Sequence, residues 1–147
     1  MILYVDTSAV VKTILLEQDS DCVREWFAQA DEVVSSVITY AEACAALGRA
    51  HGRGRANSGD LSALVAELDA QWEEYLVLPV AAHAAGRVAL KHGLRGMDAV
   101  QLTAALALRT AAEHQAPGAD VVFAAFDQRL LEAAEREGFA TLGGALG

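Results

Sequence analysis

Short apolar runs alternate with longer helical patterns along the whole chain, and this alternation restricts the possible folds more than any other feature. The predicted strands are Ile2–Val5, 33–35, 76–80, Val121–Ala125 and 139–142. The pattern at 33–35 is weaker, 76–80 is a strand or a connector, and the apolar run of the fourth strand extends to Phe126. Strands that are apolar throughout and separated by helices are typical of a parallel sheet covered on both faces. We therefore predict an α/β fold, a three-layer α/β/α arrangement around a short, mainly parallel central sheet.

The helical segments are bounded by residues that commonly start or stop helices. They run from Thr7 or Ser8 to about 16, from Ser20 or Asp21 to about 30, from 37 to 50, from Asp60 or Ser62 to about 75, from 81 to 92, from 97 to about 113, and from 127 to 137. A glycine-rich segment, 52–59, is the clearest loop. With 147 residues and no internal repeat or linker, the chain is predicted to form a single domain, 1–147.

The charge balance is strongly acidic, with a net charge of −9. Phosphate contacts usually come from a basic face, so this balance alone opposes nucleic-acid binding. It is compatible with a metal site, because clustered carboxylates need a cation to offset their repulsion, and also with an ordinary soluble surface. No apolar run approaches the ~20 residues that cross a bilayer, and the first residues do not resemble a signal peptide, so we expect a cytoplasmic protein.

Four carboxylates stand at informative positions. Asp6 ends the first strand, Asp127 follows the fourth, and Asp98 lies in the first turn of a long helix. Strand ends and helix starts share one rim of such a sheet, where ligands bind, so these three are expected to converge. Glu42 lies in an otherwise apolar helix, where it must reach solvent, a basic partner or a metal.

Each carboxylate also has a simpler interpretation, since the aspartates could be helix caps and Glu42 could lie on a solvated stripe. In combination they favour a site for Mg²⁺ or Mn²⁺, hard cations that prefer oxygen ligands. Such an ion can polarise a phosphodiester and activate water for its hydrolysis.

Two other surfaces are candidates for binding. Arg49, Arg53 and Arg55 flank the glycine-rich loop and could contact RNA phosphates or an acidic partner, or could be ordinary solvated arginines. The helix at 60–75 carries an apolar stripe that could form a dimer or partner surface. The stripe consists of Leu61, Leu64, Val65, Leu68 and Trp72.

Four segments, in order and covering nearly the whole chain, resemble the motifs of PIN-domain nucleases, and most closely those of VapC-type toxins from type II toxin–antitoxin pairs. They are 5–12 (VDTSAVVK), 39–43 (TYAEA), 93–102 (GLRGMDAVQL), and 126–130 (FDQRL) with the later Gly138 and Phe139. One such motif would be weak evidence, whereas four at family-like spacing are strong. In one departure, Ala125 stands where the fourth motif often has Ser or Thr.

The resemblance implies a PIN-like fold and a metal-dependent ribonuclease, often a homodimer, that a partner antitoxin holds inactive. It assigns the acidic metal site to Asp6, Glu42, Asp98 and Asp127, with Asp6 and Asp98 as the surest ligands. Thr7 or Ser8 would supply a hydroxyl near the metal or, as we favour, cap the helix.

Other functions are less well supported by the sequence. A haloacid dehalogenase-type phosphotransferase would need an aspartate where Ser8 stands, and a nucleotide-binding protein would need a glycine-rich loop after a strand. Two alternatives stay open: a catalytically silent PIN-like module that binds an antitoxin or RNA, and a metal-dependent DNA flap nuclease.

Overall fold

The computed structural model describes residues 1–54 and 60–144. The strands are β1 (Ile2–Val5), β2 (Glu32–Ser36), β3 (Leu76–Leu78), β4 (Val121–Ala125) and β5 (Ala140–Gly143). The helices are α1 (Thr7–Ile14), α2 (Ser20–Gln29), α3 (Ile38–Gly52), α4 (Leu61–Trp72), α5 (Ala82–His92), α6 (Gly96–Gln115) and α7 (Gln128–Arg136). The predicted order of strands and helices is thus confirmed, with shifts of one to three residues at most ends.

The five strands form one sheet in the order β3-β2-β1-β4-β5, and every pairing is parallel. The chain leaves β1 toward β2 on one side, and β4 pairs with β1 on the other side. The strand order therefore reverses between β1 and β4, which is where sheets of this kind bind ligands, at the carboxyl ends of the strands.

The core consists of two apolar layers, one on each face of the sheet. Successive strand residues point to opposite faces, so Leu3 and Val5 pack with α1, α3 and α4, whereas Tyr4 packs with α6 and α7. This arrangement confirms the predicted three-layer α/β/α fold. It also explains why the strands are apolar throughout, since neither face of the sheet is open to water.

The apolar stripe of α4 faces the protein's own core. Leu64 and Leu68 are 3% and 0% exposed and pack with Leu3, Val5 and the residues of α1. The expectation that this stripe forms a dimer or partner surface is therefore wrong for its central residues, because an amphipathic pattern is the same whichever surface covers it.

Two boundaries differ for clear local reasons. Strand β3 ends at Leu78 and not at residue 80, since Pro79 has no N–H to donate to a neighbouring strand. Helix α6 begins at Gly96, one residue earlier than predicted, and continues to Gln115. Within the described residues, no helix is both long and apolar enough to span a membrane.

Candidate active site

Asp6 lies at the carboxyl end of β1 and begins the site. Its backbone is extended, and its carboxylate Oδ1 accepts a hydrogen bond from the Ala9 amide at 3.1 Å, which caps α1. The predicted cap by Thr7 or Ser8 is wrong, because Asp6 is the residue with non-helical backbone geometry. The Ser8 hydroxyl instead donates to Asp6 Oδ1 at 2.6 Å.

Burial makes the charge of Asp6 costly. The residue is only 6% exposed, and its pKa is raised from 3.8 to about 7, mainly by desolvation and to a smaller extent by repulsion from Asp98 and Glu42. The hydrogen bonds from Ser8 and Ala9 act in the opposite direction but do not cancel this effect. A buried carboxylate surrounded by other carboxylates would gain from a nearby cation.

Glu42 is half-buried on α3 and faces the same cleft. Its Oε1 accepts hydrogen bonds from the Thr7 hydroxyl at 2.8 Å and the Gln101 amide at 3.4 Å. The alternative that Glu42 lies on a solvated stripe is therefore wrong. The polar groups that face it come from the start of α1 and from α6, the elements that also carry Asp6 and Asp98.

Asp98 and Asp127 are joined by one arginine. The Nε of Arg95 donates to Asp98 Oδ2 at 3.2 Å, and its terminal NH2 group donates to Asp127 Oδ2 at 3.5 Å. Asp127 also caps α7, because its Oδ1 accepts the Leu130 amide hydrogen bond at 2.9 Å. Capping thus accounts for part of the role of Asp6 and Asp127, but Asp98 makes no cap bond, since the N-cap position of α6 is Arg95.

All four carboxylates line one cleft of about 370 Å³ at this rim of the sheet. The other polar or charged lining residues are Thr7, Ser8, Lys12, Glu17, Arg49, Arg95 and Gln101. The structure thus brings together every sequence-predicted site residue except Arg53, which is exposed at the end of α3, and Arg55, which lies outside the described residues. A larger cavity between β3 and α6, of about 430 Å³, is mainly apolar and has Glu32 as its one carboxylate.

Sequence reasoning missed four polar residues of the cleft: Lys12, Glu17, Arg95 and Gln101. Arg95 and Gln101 lie three residues before and three after Asp98, so helical spacing around a candidate ligand was the signal that could have found them. Lys12 was not predictable in this way. Its ammonium donates to the Gln18 carbonyl oxygen at 2.9 Å and lies 4.7 Å from the centre of the Phe126 ring.

Ala125, where the fourth motif often has a hydroxyl, does not contribute to the cleft. Ala125 is fully buried in the core with α6 and α7, so its side chain does not line the cleft. The hydroxyl of Ser8 accepts the Phe126 amide hydrogen bond at 2.9 Å, while donating to Asp6. Ser8 therefore connects the ends of β1 and β4, the two strands that supply Asp6 and Asp127.

The donor set of the cleft fits a hard divalent cation, since it offers carboxylate and hydroxyl oxygens and a buried carboxylate whose charge is poorly offset. It is not a finished ligand cage: across residues 1–54 and 60–144, no three His, Cys, Asp or Glu side chains are grouped to hold one ion. The guanidinium of Arg95 lies between two of the carboxylates, 3.2 Å from Asp98 Oδ2 and 3.5 Å from Asp127 Oδ2. Rotation of this exposed side chain would free both oxygens.

Comparison with known proteins agrees with this architecture. The PIN domain family model matches residues 3–136. The chain belongs to the PIN domain family. It is also 34% identical over 146 residues to Ribonuclease VapC45 of Mycobacterium tuberculosis, an alignment that covers 93% of this chain and 92% of that protein. The resemblance inferred from the four motifs is confirmed.

Solved structures share the fold at lower sequence identity. Mycobacterium tuberculosis VapC20, described as a sarcin-ricin loop cleaving toxin, is 17% identical with a TM-score of 0.64, covering 94% of this chain and 96% of that one. VapBC2 of Rickettsia felis, whose structure was solved bound to a DNA fragment from the VapBC2 promoter, is 13% identical with a TM-score of 0.63, and the match covers 97% of this chain and 98% of that one. At these identities the likeness supports the PIN fold alone.

Proposed function

We propose that this PIN-domain protein is a metal-dependent endoribonuclease and the toxin of a toxin–antitoxin pair, acting in the cytoplasm. The observation that carries the proposal is the convergence of Asp6, Glu42, Asp98 and Asp127 on one cleft at the switch point of the sheet. The choice of RNA rather than another phosphodiester is supported by 34% identity to a protein named as a ribonuclease.

Asp6 and Asp98 would hold Mg²⁺ or Mn²⁺, and Glu42 and Asp127 would either bind the ion or orient water around it. The ion would supply the positive charge that polarises the scissile phosphodiester and favours ionisation of the attacking water. Glu42 is held in place by Thr7 and Gln101, and in the water-orienting role its carboxylate would also accept the proton of that water. Ser8 and the Ala9 amide fix the orientation of Asp6.

The cationic side chains of the cleft would contact the RNA backbone. Lys12 and Arg49 line the cleft together with the carboxylates, and Arg95 lies between Asp98 and Asp127. An adjoining cavity of about 270 Å³ shares Arg95, Asp98 and Asp127 with the cleft and is lined by Arg129 as well. These positive groups would bind phosphates on either side of the cleaved bond, which makes RNA binding possible despite the net charge of −9.

An antitoxin protein is the partner that we propose, because VapBC2 is among the proteins that share this fold. We also propose a homodimer, as expected for a protein of this family. The α4 stripe faces the core and does not support a dimer. The dimer proposal is supported instead by exposed apolar side chains near the carboxyl ends of β2 and β3 and the start of α6: Val37, Val80 and Met97 are 50%, 41% and 52% exposed. Light scattering of the purified protein would test the dimer.

The enzymatic proposal is tested with purified protein, freed of any partner, on structured RNA and on duplex DNA. Reactions contain Mg²⁺, Mn²⁺ or EDTA, and compare the wild type with Asp98→Asn and with Asp21→Asn, a matched change of a fully exposed aspartate on α2. We expect RNA cleavage that needs the metal, disappears in Asp98→Asn and persists in Asp21→Asn.

The other outcomes separate the alternatives. Cleavage that survives EDTA and Asp98→Asn would contradict the proposal and indicate a contaminant. Metal-dependent cleavage of duplex DNA without RNA cleavage would favour the flap nuclease. Protein that binds RNA or an antitoxin but cleaves nothing under any condition would be the silent binding module.

A further inference from the structure

We infer that Gln101 is a positioning residue for Glu42, and that the buried hydroxyl of Tyr4 fixes the orientation of its side-chain amide. The inference rests on the proposed function, in which Glu42 serves the metal and the attacking water. Gln101 lies on α6, one turn after Asp98, and is 2% exposed.

The amide of Gln101 is bonded on both sides. Its Oε1 accepts a hydrogen bond from the Tyr4 hydroxyl at 2.7 Å, on the side that faces the core. Its Nε2 donates to Thr39 Oγ1 at 3.0 Å and lies 3.4 Å from both Thr7 Oγ1 and Glu42 Oε1, on the side that faces the cleft. Within the described residues, no buried side-chain nitrogen or oxygen lacks a partner.

This pattern leaves one orientation of the amide. If the amide were turned over, its oxygen would face the Glu42 carboxylate, and two acceptors would be opposed without a proton between them. The Tyr4 hydroxyl donates to the oxygen and so favours the observed orientation, in which the NH₂ group faces Glu42.

The network connects the residues of the cleft to the rigid part of the fold. Tyr4 lies in the central strand β1 and is fully buried, with its ring stacked on Phe123 of β4. Thr39, in the first turn of α3, is also hydrogen-bonded to Ser35 of β2 at 2.8 Å. Gln101 accepts the hydrogen bond of the Tyr4 hydroxyl and donates toward Glu42, so it connects this rigid part of the fold to the carboxylate.

Mn²⁺ affinity is the first readout, measured by calorimetry on the wild type, Tyr4→Phe, Gln101→Met and the double variant. Replacing a partner that hydrogen-bonds a metal ligand typically weakens metal binding about 10–100-fold. We expect about a tenfold loss in Gln101→Met and a smaller loss in Tyr4→Phe. Because both act through one amide, Tyr4→Phe is expected to have no further effect once Gln101 is Met.

Thr103→Val is the matched control for stability. Thr103 is buried on the same helix, and its hydroxyl bonds to the Ala99 carbonyl oxygen at 2.6 Å without contacting the cleft. We expect it to lower the urea midpoint while leaving Mn²⁺ affinity within about twofold of the wild type. If Gln101→Met does not fold, Tyr4→Phe, which removes a single oxygen, is compared with Thr103→Val on the same two measurements.

A second readout needs no metal. In the ¹H–¹⁵N spectrum of the metal-free protein, Glu42→Gln and Tyr4→Phe are expected to shift the side-chain NH₂ resonances of Gln101, and Thr103→Val is not. Unchanged resonances, or unchanged Mn²⁺ affinity in Gln101→Met, would overturn the inference. A wild type that binds no Mn²⁺ would instead overturn the proposed function, and the resonances would still decide whether Gln101 positions Glu42.

Discussion

Replacing Asp6 by asparagine should stabilise the metal-free protein in a pH-dependent way. Asparagine retains the oxygen that accepts hydrogen bonds from Ser8 and Ala9, so the substitution removes the buried charge and little else. The folded-state pKa of Asp6 is raised from 3.8 to about 7, chiefly by burial. Between these values the folded state keeps a proton that the unfolded state has released.

The sign and size of the effect follow from this difference. The stability contributed by neutral Asp6 is complete below pH 4 and is lost as the pH rises through about 7. The loss amounts to about 1.4 kcal/mol per pH unit, or about 4 kcal/mol over the whole range. Asp6→Asn avoids this loss, so its advantage over the wild type should grow between pH 5 and pH 7 and level off above that.

Urea denaturation in EDTA, repeated from pH 5 to pH 8.5, measures this difference. Subtracting the two curves removes the contributions of all other titrating groups, and Asp21→Asn provides a control in which the difference should stay flat. Saturating Mn²⁺ should stabilise the wild type more than Asp6→Asn, since a ligand of the folded state stabilises it by mass action. A difference between wild type and Asp6→Asn that does not change with pH would refute the reasoning.

Substitutions at three further positions give distinct expectations. Arg95→Gln should tighten Mn²⁺ binding about two- to fivefold by calorimetry, because the ion would no longer compete with exposed ion pairs that contribute about 0.2–1 kcal/mol. Weaker Mn²⁺ binding would contradict the view that Arg95 competes with the ion. Ser8→Ala should lower the free energy of unfolding by about 1–3 kcal/mol in urea, since it leaves the Phe126 amide without its partner, and an unchanged value would argue against that contact. The free energy of unfolding should be about 1 kcal/mol lower for Asp127→Ala than for Asp127→Asn, because asparagine keeps the cap of α7. Both variants should impair RNA cleavage, and equal stability of the two would exclude the capping role.

The fold was predictable because its main determinants are local. Apolar strands separated by amphipathic helices require a parallel sheet covered on both sides, and the chain positions of Asp6 and Asp127 then place them at strand ends. The strand order could not be obtained in this way. That β1 lies between β2 and β4 depends on long-range pairing, which leaves no periodic pattern in the sequence.

The site was predictable in its carboxylates and not in their surroundings. Carboxylates at strand ends or in apolar helices are unusual enough to be noticed, whereas Arg95 and Gln101 are marked only by their helical spacing from Asp98, and the fold is needed to show that they contact Asp98 and Glu42. The assignment of the α1 cap failed for a related reason, since several residues near a helix start can cap it and backbone geometry decides among them.

The central claim, that this cleft holds a catalytic divalent ion, is tested most directly by an anomalous difference map from crystals grown with Mn²⁺. The account predicts a peak in the cleft bonded to carboxylate oxygens of Asp6 and Asp98, with Arg95 moved away from Asp98. A cleft without a peak at a Mn²⁺ concentration well above that used for cleavage, or a peak bound elsewhere on the protein, would contradict it.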